Sequence, residues 1–477
     1  MKNRFNRLTS KEWLPFQKSW FKESSDDLLY KENLRFFTKA DASEEKVLYF
    51  GKSYSLFKNI ADENKLQADK LEKYNGKSQF ILIDLRGFIN NDTTLPEYKR
   101  LRDKVLTLIK KHLTKLEERR FISVFIPNIQ TKNNYFAFAW DIAKHIGQII
   151  SLKDERIACS IKTTSEQNQK LFNPSKSIFY CLYFRKDEQS GKELKTNEFN
   201  FFLNTTQKIN NGGISKKIPS WFVLKPQPRK KDEILHPAKY PEELVEMFVS
   251  EFTKENDNIF DPMSGTGSTQ LGALKLKRNG YGTELSEFFA KIANGRCNEY
   301  IEPTQKLLFY EEKNQKFKII NKDARLINRD DFPLIDYMIT SPPYWDMLNM
   351  KGAENQAKRI EKGLKTNYSD HRDDIGNIPG YYDFLFTLRD IYFNIASMMK
   401  GGSYMTIVVK NIKKKGTNYP FAWDLASLLQ EKLILMPEVF WCQDDITIAP
   451  YGYGNTFVSN TFHQYCLNFQ VPEDFKK

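Results

Sequence analysis

Ile335-Asp336-Tyr337-Met338-Ile339-Thr340-Ser341-Pro342-Pro343-Tyr344-Trp345 decides how the rest of the chain is read. The run from Ile335 to Ile339 is apolar and rich in strand formers. Two successive prolines cannot continue a hydrogen-bonded ladder, so the strand is expected to stop at Ser341. Its tip then presents a hydroxyl, prolyl carbonyls and an aromatic ring. Open α/β sheets place their ligands at that end of a parallel strand.

These groups suit one kind of chemistry. An amine on a nucleobase is a poor nucleophile, because its lone pair is delocalised into the ring. Two acceptors holding its N–H groups, Ser341 Oγ and the Pro342 carbonyl, would help to localise that pair. Tyr344 would stack on a base taken out of a duplex. A plain Pro-Pro turn with a buried tyrosine is the simpler reading of the tripeptide alone.

The surroundings bear on that choice. With 477 residues the chain has room for two or three domains. A formal charge of +13 favours polyanionic partners, and 14% aromatic residues offer many stacking surfaces. The five cysteines, Cys159, Cys181, Cys297, Cys442 and Cys466, form no Cys-x-x-Cys pair. They read as reduced core thiols, not as a disulfide or zinc framework, and no metal is expected. There is no apolar leader and no run of membrane-spanning length. A soluble, cytoplasmic protein without a membrane partner is expected.

Five segments follow from the pattern. Residues 1–77 are polar and helix-leaning; Trp13, Phe16, Trp20 and Phe21 form a stripe at helical spacing that packs on the body. Residues 78–187 read as an α/β half-domain, with strands at 80–83, 121–126 and 179–184 and helices at 101–116 and 140–150. Residues 188–234 are a connector, with a basic extended run Pro226 to Lys231. Residues 235–325 hold a helix at 242–252 and a βαβ-like unit. Residues 326–477 carry the opening stretch, then helix 382–399, strand 403–409, helix 421–432 and strands 438–442 and 463–469.

The second and fifth segments repeat one another. Phe138-Ala139-Trp140-Asp141-Ile142-Ala143 matches Phe421-Ala422-Trp423-Asp424-Leu425-Ala426, at a Trp-to-Trp offset of 423 − 140 = 283. Asn128/Asn411 and Cys159/Cys442 share that offset, and Cys181/Cys466 lies at 285. The alignment sets Asp84-Leu85-Arg86-Gly87-Phe88 against Thr340 to Tyr344. The earlier copy therefore lacks the Pro-Pro-Tyr tip and is expected to be a degenerate half-domain duplicated from the C-terminal one.

Between the copies lies Asp261-Pro262-Met263-Ser264-Gly265-Thr266-Gly267-Ser268, a tight loop from strand to helix. Its glycines let the backbone approach a ligand, and the following helix offers free N–H groups. It is no Walker loop, because no Gly-Lys-Ser/Thr follows. Glu284, 284 − 267 = 17 residues after Gly267 at the end of the next strand, suits ribose hydroxyls. Asp323, after the apolar run Phe317 to Ile320, is placed to meet an adenine amine.

Taken together, Asp261 to Ser268 resembles the S-adenosylmethionine-binding motif of amino-methylating DNA methyltransferases. Thr340-Ser341-Pro342-Pro343-Tyr344 resembles their catalytic motif. His236-Pro237-Ala238-Lys239-Tyr240-Pro241-Glu242-Glu243-Leu244 resembles the motif that lies against the methionine part of the cofactor. The likeness covers roughly residues 220–472. It implies a Rossmann-like α/β sheet with helices on both faces and S-adenosylmethionine as methyl donor, with no metal. His236, Pro237, Asp261, Pro262, Ser264, Gly265, Thr266, Gly267, Glu284 and Asp323 would form the cofactor site. Ser341, Pro342, Pro343 and Tyr344 would form the catalytic site.

Ser-Pro-Pro-Tyr is the form typical of N4-cytosine enzymes, so transfer to cytosine N4 in double-stranded DNA by base flipping is expected. Adenine N6, an RNA amine and a silent nucleic-acid-binding scaffold are the alternatives. The motif order is the one called gamma in that family; a tandem duplication trimmed to a single cofactor module between two catalytic-type halves would produce it. Candidates for target recognition are the charged insert Asp346 to Pro379 and the degenerate half; the basic run Lys410 to Lys415 could bind phosphates near the flipped base. A restriction nuclease or another defence component is a candidate partner. No nuclease motif is evident, so no cleavage is expected.

Overall fold

The computed structural model describes the chain except residues 1–2, 24, 40–45, 132–133, 161–177, 189, 192–217, 226–240, 303–313, 346–373, 415–416, 445–447, 451, 456, 458 and 476–477. It is an α/β protein of two compact units. One comprises residues 1–212, 411–423 and 442–463, and the other residues 213–410, 424–441 and 464–477.

The first unit is built on a seven-stranded sheet. Its strands are β1 (Trp20–Lys22), β2 (Lys46–Phe50), β3 (Ala68–Lys70), β4 (Ser78–Asp84), β5 (Leu116–Ile126), β6 (Ser151–Cys159) and β7 (Ile178–Arg185). The order is β1-β6-β7-β5-β4-β2-β3. Only β7 runs against its neighbours. Helices α1 (Asp26–Phe37), α2 (Tyr54–Glu63), α3 (Leu95–Leu113) and α4 (Phe138–Gly147) complete it.

The second sheet has nine strands. Eight form its main path: β8 (Trp221–Val223), β9 (Asn258–Asp261), β10 (Asn279–Glu284), β11 (Phe317–Asn321), β12 (Ile335–Thr340), β13 (Met399–Val409), β14 (Val439–Cys442) and β15 (His463–Gln470). Their order is β8-β14-β15-β13-β12-β9-β10-β11, and a short strand at Ile434–Leu435 also pairs with β15. Strands β13, β12, β9, β10 and β11 are parallel, and β15 is antiparallel to β13. The helices are α5 (Glu242–Phe252), α6 (Ser268–Lys275), α7 (Glu287–Ile301), α8 (Tyr381–Ala396) and α9 (Phe421–Leu429). Strands β9 and β12 and the second half of β13, Met405 to Val409, are mostly buried on both faces, as parallel strands covered by helices are.

Three expectations are corrected. Residues 1–77 are not a helical segment: β1, β2 and β3 are strands of the first sheet. The aromatic stripe is no single helix either. Pro15 begins a short 3-10 turn, Trp20 sits in β1, and Trp13 and Phe16 are core residues beside Phe36. Within the connector, Trp221–Val223 forms β8, an edge of the second sheet; the run Pro226 to Lys231 lies outside the described residues.

Strand β6 carries an unusual burden. Asp154, Glu155 and Arg156 are all buried in it. Lys413 Nζ pairs with Asp154 at 2.6 Å, Asn411 Nδ2 donates to Glu155 at 2.6 Å, and Arg156 donates to the carbonyls of Lys18 and Pro15. Buried charges persist only with such partners. All five cysteines are free and buried. No helix among the described residues is long and apolar enough to cross a membrane.

Candidate active site

β9 and β12 lie side by side, with Phe260 opposite Met338, so their C-terminal ends meet. Asp261 ends β9 and is buried. One of its carboxylate oxygens accepts from Thr340 Oγ1 at 2.6 Å and from Met263 N at 3.0 Å; the other accepts from Thr269 Oγ1 at 2.7 Å. The side chain predicted to touch a cofactor therefore braces the glycine loop, the first turn of α6 and the Ser341 tip together.

The loop is shaped by its glycines. Gly265 and Gly267 adopt φ of +52° and +79°, a region that side chains with a Cβ visit at a cost. A Cβ on Gly267 would also stand 2.9 Å from Cβ of Ala293 in α7. Ser264 Oγ donates to the Asp261 carbonyl at 3.1 Å and accepts from Gln270 Nε2 at 2.9 Å. The carbonyls of Pro262 and Thr266 accept from Thr283 Oγ1 and Arg296 Nη1 at 2.7 and 2.6 Å. Thus Pro262, Ser264 and Thr266 hold the loop's form, leaving the turn at Gly265–Gly267 and the start of α6 as the backbone closest to a ligand.

Glu284 closes β10 beside that turn. Its carboxylate accepts from Gly265 N at 2.8 Å and from Ser286 N at 2.9 Å. Burial pushes its carboxyl up to about 7 despite these two bonds, and Asp261 and Asp374 push in the same direction. Asp323 lies beyond β11, where a third strand was expected to end. It caps the short turn Ala324–Leu326 and pairs with Arg325 through both oxygens. Its carboxylate thus already has a cation. His236 and Pro237 lie outside the described residues.

At the end of β12 the chain leaves the sheet at Ser341, as two prolines require. Ser341 is part-exposed, Pro342 is buried, and Tyr344 is 8% exposed. Tyr344 Oη donates to Gln464 Oε1 at 3.2 Å, and Trp345 Nε1 donates to the Ile378 carbonyl at 2.9 Å. Gly376 lies against Pro343: a Cβ there would stand 3.3 Å from the proline. Residues 374–378 therefore fold back over the Pro-Pro-Tyr turn.

The basic run after β13 divides. Asn411 is buried; besides holding Glu155, its Oδ1 accepts from Ala422 N at 2.9 Å and starts α9. Lys413 is committed to Asp154 and to Ser459. Lys410 turns to the site, its ammonium 5.0 Å from the Tyr344 ring centroid. No cluster of His, Cys, Asp and Glu among the described residues could hold a metal ion.

The corresponding ends in the first unit are filled differently. β4 ends at Asp84, whose carboxylate accepts from Tyr30 Oη at 2.6 Å and from Arg86 Nη2 at 2.6 Å. Arg86 also pairs with Asp26 and lies over Phe179, 4.5 Å from its ring centroid. Tyr30 and Tyr49 share a hydroxyl contact of 3.1 Å beside them. No Pro-Pro-Tyr tip, glycine pair or acid like Glu284 stands there.

One pair escaped the sequence reading. Tyr98 Oη donates to Asp141 Oδ2 at 2.6 Å, and Tyr381 Oη donates to Asp424 Oδ2 at 2.9 Å. The tyrosines stand 381 − 98 = 283 residues apart, so the repeat's own offset marks them.

The DNA methylase family of N6/N4 type matches residues 74–295, which include the glycine loop and Glu284 but end before Ser341. Among curated proteins, the chain is 41% identical over 66 residues to the orphan methyltransferase M.BamHII of Bacillus amyloliquefaciens, covering 14% of this chain and 25% of that protein. It is 30% identical over 128 residues to the type II methyltransferase M2.LlaDCHI of Lactococcus lactis subsp. cremoris, covering 27% and 39%. These matches thus span a quarter to two fifths of the relatives' lengths. Among solved structures, a putative rRNA methylase from Clostridium thermocellum aligns with 49% of this chain and 98% of its own, at 11% identity and a TM-score of 0.30. Over residues 74–295 the chain is thus similar to the N6/N4 DNA methylase family, and over shorter stretches to curated DNA methyltransferases.

Proposed function

We propose that the chain methylates DNA, transferring the methyl group of S-adenosylmethionine to the N4 amine of cytosine in a flipped nucleotide. One observation carries this reading: Asp261 binds the glycine loop and the Ser-Pro-Pro-Tyr tip into one rigid corner. The cofactor fits what lies there. Gly265 and Gly267 keep the backbone bare, α6 begins at the loop, and Glu284 offers acceptors for ribose hydroxyls. When bound, the cofactor supplies an electrophilic methyl group on a sulfonium and leaves as the neutral thioether.

The chain's own residues do the rest. Ser341 Oγ and the Pro342 carbonyl accept the two amine N–H groups and turn the nitrogen lone pair toward the methyl. With the amine so held, its nitrogen would take the methyl group from the sulfonium, and the surplus amine proton would pass from the N–H at Ser341, which is part-exposed, to water. Tyr344 stacks on the base, with Gln464 holding its hydroxyl. Positioning supplies most of the rate. Adenine N6 is the second reading, because the matched family spans both amines.

The first unit is, on this reading, a silent copy of the second. Its strands β1-β6-β7-β5-β4-β2-β3 follow the same order as β8-β14-β15-β13-β12-β9-β10. Asn128 Oδ1 accepts from Ala139 N as Asn411 Oδ1 accepts from Ala422 N, at 2.8 and 2.9 Å. Lys70 pairs with Tyr49 as Tyr281 pairs with Phe260, but β3 ends at Lys70 and the chain turns there, whereas β10 runs three residues further to Glu284. Without an acid at the end of that strand, and with Arg86 held by Asp84 and Asp26 at the tip of β4, the first unit lacks the acceptors for a ribose or an amine. The copy has its own strand–helix–strand β2–α2–β3 before β4, so no trimming to one shared cofactor module is needed.

The test separates binding from turnover. Tyr344→Ala should lose methylation on the order of 100-fold, as misplacement of a reacting group does, and bind S-adenosylmethionine as the wild type does. Unchanged turnover would refute the role of Tyr344.

A further inference from the structure

Lys410, at the start of the basic run, turns to the candidate active site, and the methyl-transfer chemistry gives it no task. Its place follows from register. Thr340 pairs with Ile407 across β12 and β13. Lys410 lies 410 − 407 = 3 residues past that pair, as Pro343 lies 343 − 340 = 3 residues past it. Neighbouring strand ends thus bring the lysine to the Pro-Pro-Tyr turn.

The ammonium rests over the Tyr344 ring, 5.0 Å from its centroid. Among the described residues no carboxylate pairs with it. Burial alone lowers its pKa; no charged neighbour contributes. Lys410 is part-exposed; a cation partly withdrawn from water without a counter-charge costs free energy, and a π face offsets some of that, roughly 0.5–2 kcal/mol. Tyr344 has 8% of its surface free, with Lys410 over the ring. A base that stacks on this ring takes the position the ammonium now holds. The displaced cation then needs an anion, and the stacked nucleotide carries one in its own backbone.

We propose that Lys410 binds a backbone phosphate of the target nucleotide: it covers Tyr344 in the free protein and yields the ring to the base as it moves to the phosphate. This rests on the methyltransferase reading above. The contact would position the strand without reading its sequence.

Each phosphate neutralised on duplex DNA contributes about 0.9 to the slope of log affinity against log salt. The full-length protein with S-adenosylhomocysteine would be titrated with unmethylated mixed-sequence duplex DNA from about 50 to 200 mM salt. Lys410→Met keeps the apolar stem and removes the charge; Lys410→Arg keeps the charge. The slope should fall by about 0.9 in the methionine variant and stay at the wild-type value in the arginine variant. KM for DNA should rise in the methionine variant, with S-adenosylmethionine affinity unchanged. Should Lys410→Met fail to fold, Lys410→Gln gives the same readout. A wild-type slope in the folded uncharged variants overturns the proposal, because mere packing on Tyr344 would leave the slope alone. If the slope falls in the methionine variant as expected but the wild-type protein labels no nucleoside, the methyltransferase reading is overturned and the phosphate contact stands.

Discussion

Glu284 and Asp261 show how far residue type alone goes. Both acids were legible as members of one loop-and-strand unit, yet their tasks differ. Asp261 is spent on Thr340, Thr269 and the Met263 amide. Asp261→Ala would leave these buried donors unpaired, at a cost of about 1–3 kcal/mol for each buried group so stranded; a fall in thermal midpoint with loss of turnover is expected. Glu284 titrates at about 7 in the folded protein, well above its ordinary value of 4.5. As pH falls through 7 it gains a proton and loses the acceptor that ribose hydroxyls need. Affinity for S-adenosylmethionine should therefore drop as pH is lowered from about 8 to 6, with proton release on binding near neutrality. Glu284→Gln should bind weakly with a flat profile over that range. Calorimetry across the range checks both, and a flat wild-type profile would refute the role of Glu284.

At the scale of elements, the strongly patterned segments were legible: helix 242–252 and the strands around 80, 122, 280, 338 and 406 lie where periodicity put them. Two kinds of element were not. β6 was missed because Asp154, Glu155 and Arg156 look like a solvated turn; only their distant partners make them a strand interior. β2 and β3 were missed because Lys46 to Lys70 has a single glycine, Gly51, and not the Gly-x-Gly pair that marks the loop at 265–267. The glycine loop carries its own prediction. Gly267→Ala sets a Cβ against Ala293 at a φ of +79°, and the left-handed conformation alone costs roughly 1–2 kcal/mol. We expect weaker cofactor binding and a lower melting temperature. Asn128→Ala and Asn411→Ala each remove a side chain that caps the start of a helix, and each should cost on the order of 1 kcal/mol in thermal or denaturant unfolding.

The molecule as a whole consists of two units of like strand order, and only the second has the groups for chemistry. The matching hexapeptides Phe138–Ala143 and Phe421–Ala426 were legible in the sequence; the like strand order of the two sheets, which includes the strand at residue 20, was not, because strand order is set by pairings between distant segments. Two sheets of one plan with one furnished site predict one S-adenosylmethionine per chain; a stoichiometry of two by calorimetry would contradict the silent copy. The central claim concerns the amine. The most direct measurement incubates the protein with methyl-labelled S-adenosylmethionine and unmethylated mixed-sequence duplex DNA, digests to nucleosides and identifies the labelled one by mass. N4-methylcytosine is the predicted product. N6-methyladenine would contradict the base assigned to the Ser341–Pro342 tip, and the absence of label from every nucleoside, with cofactor bound, would contradict DNA methylation itself.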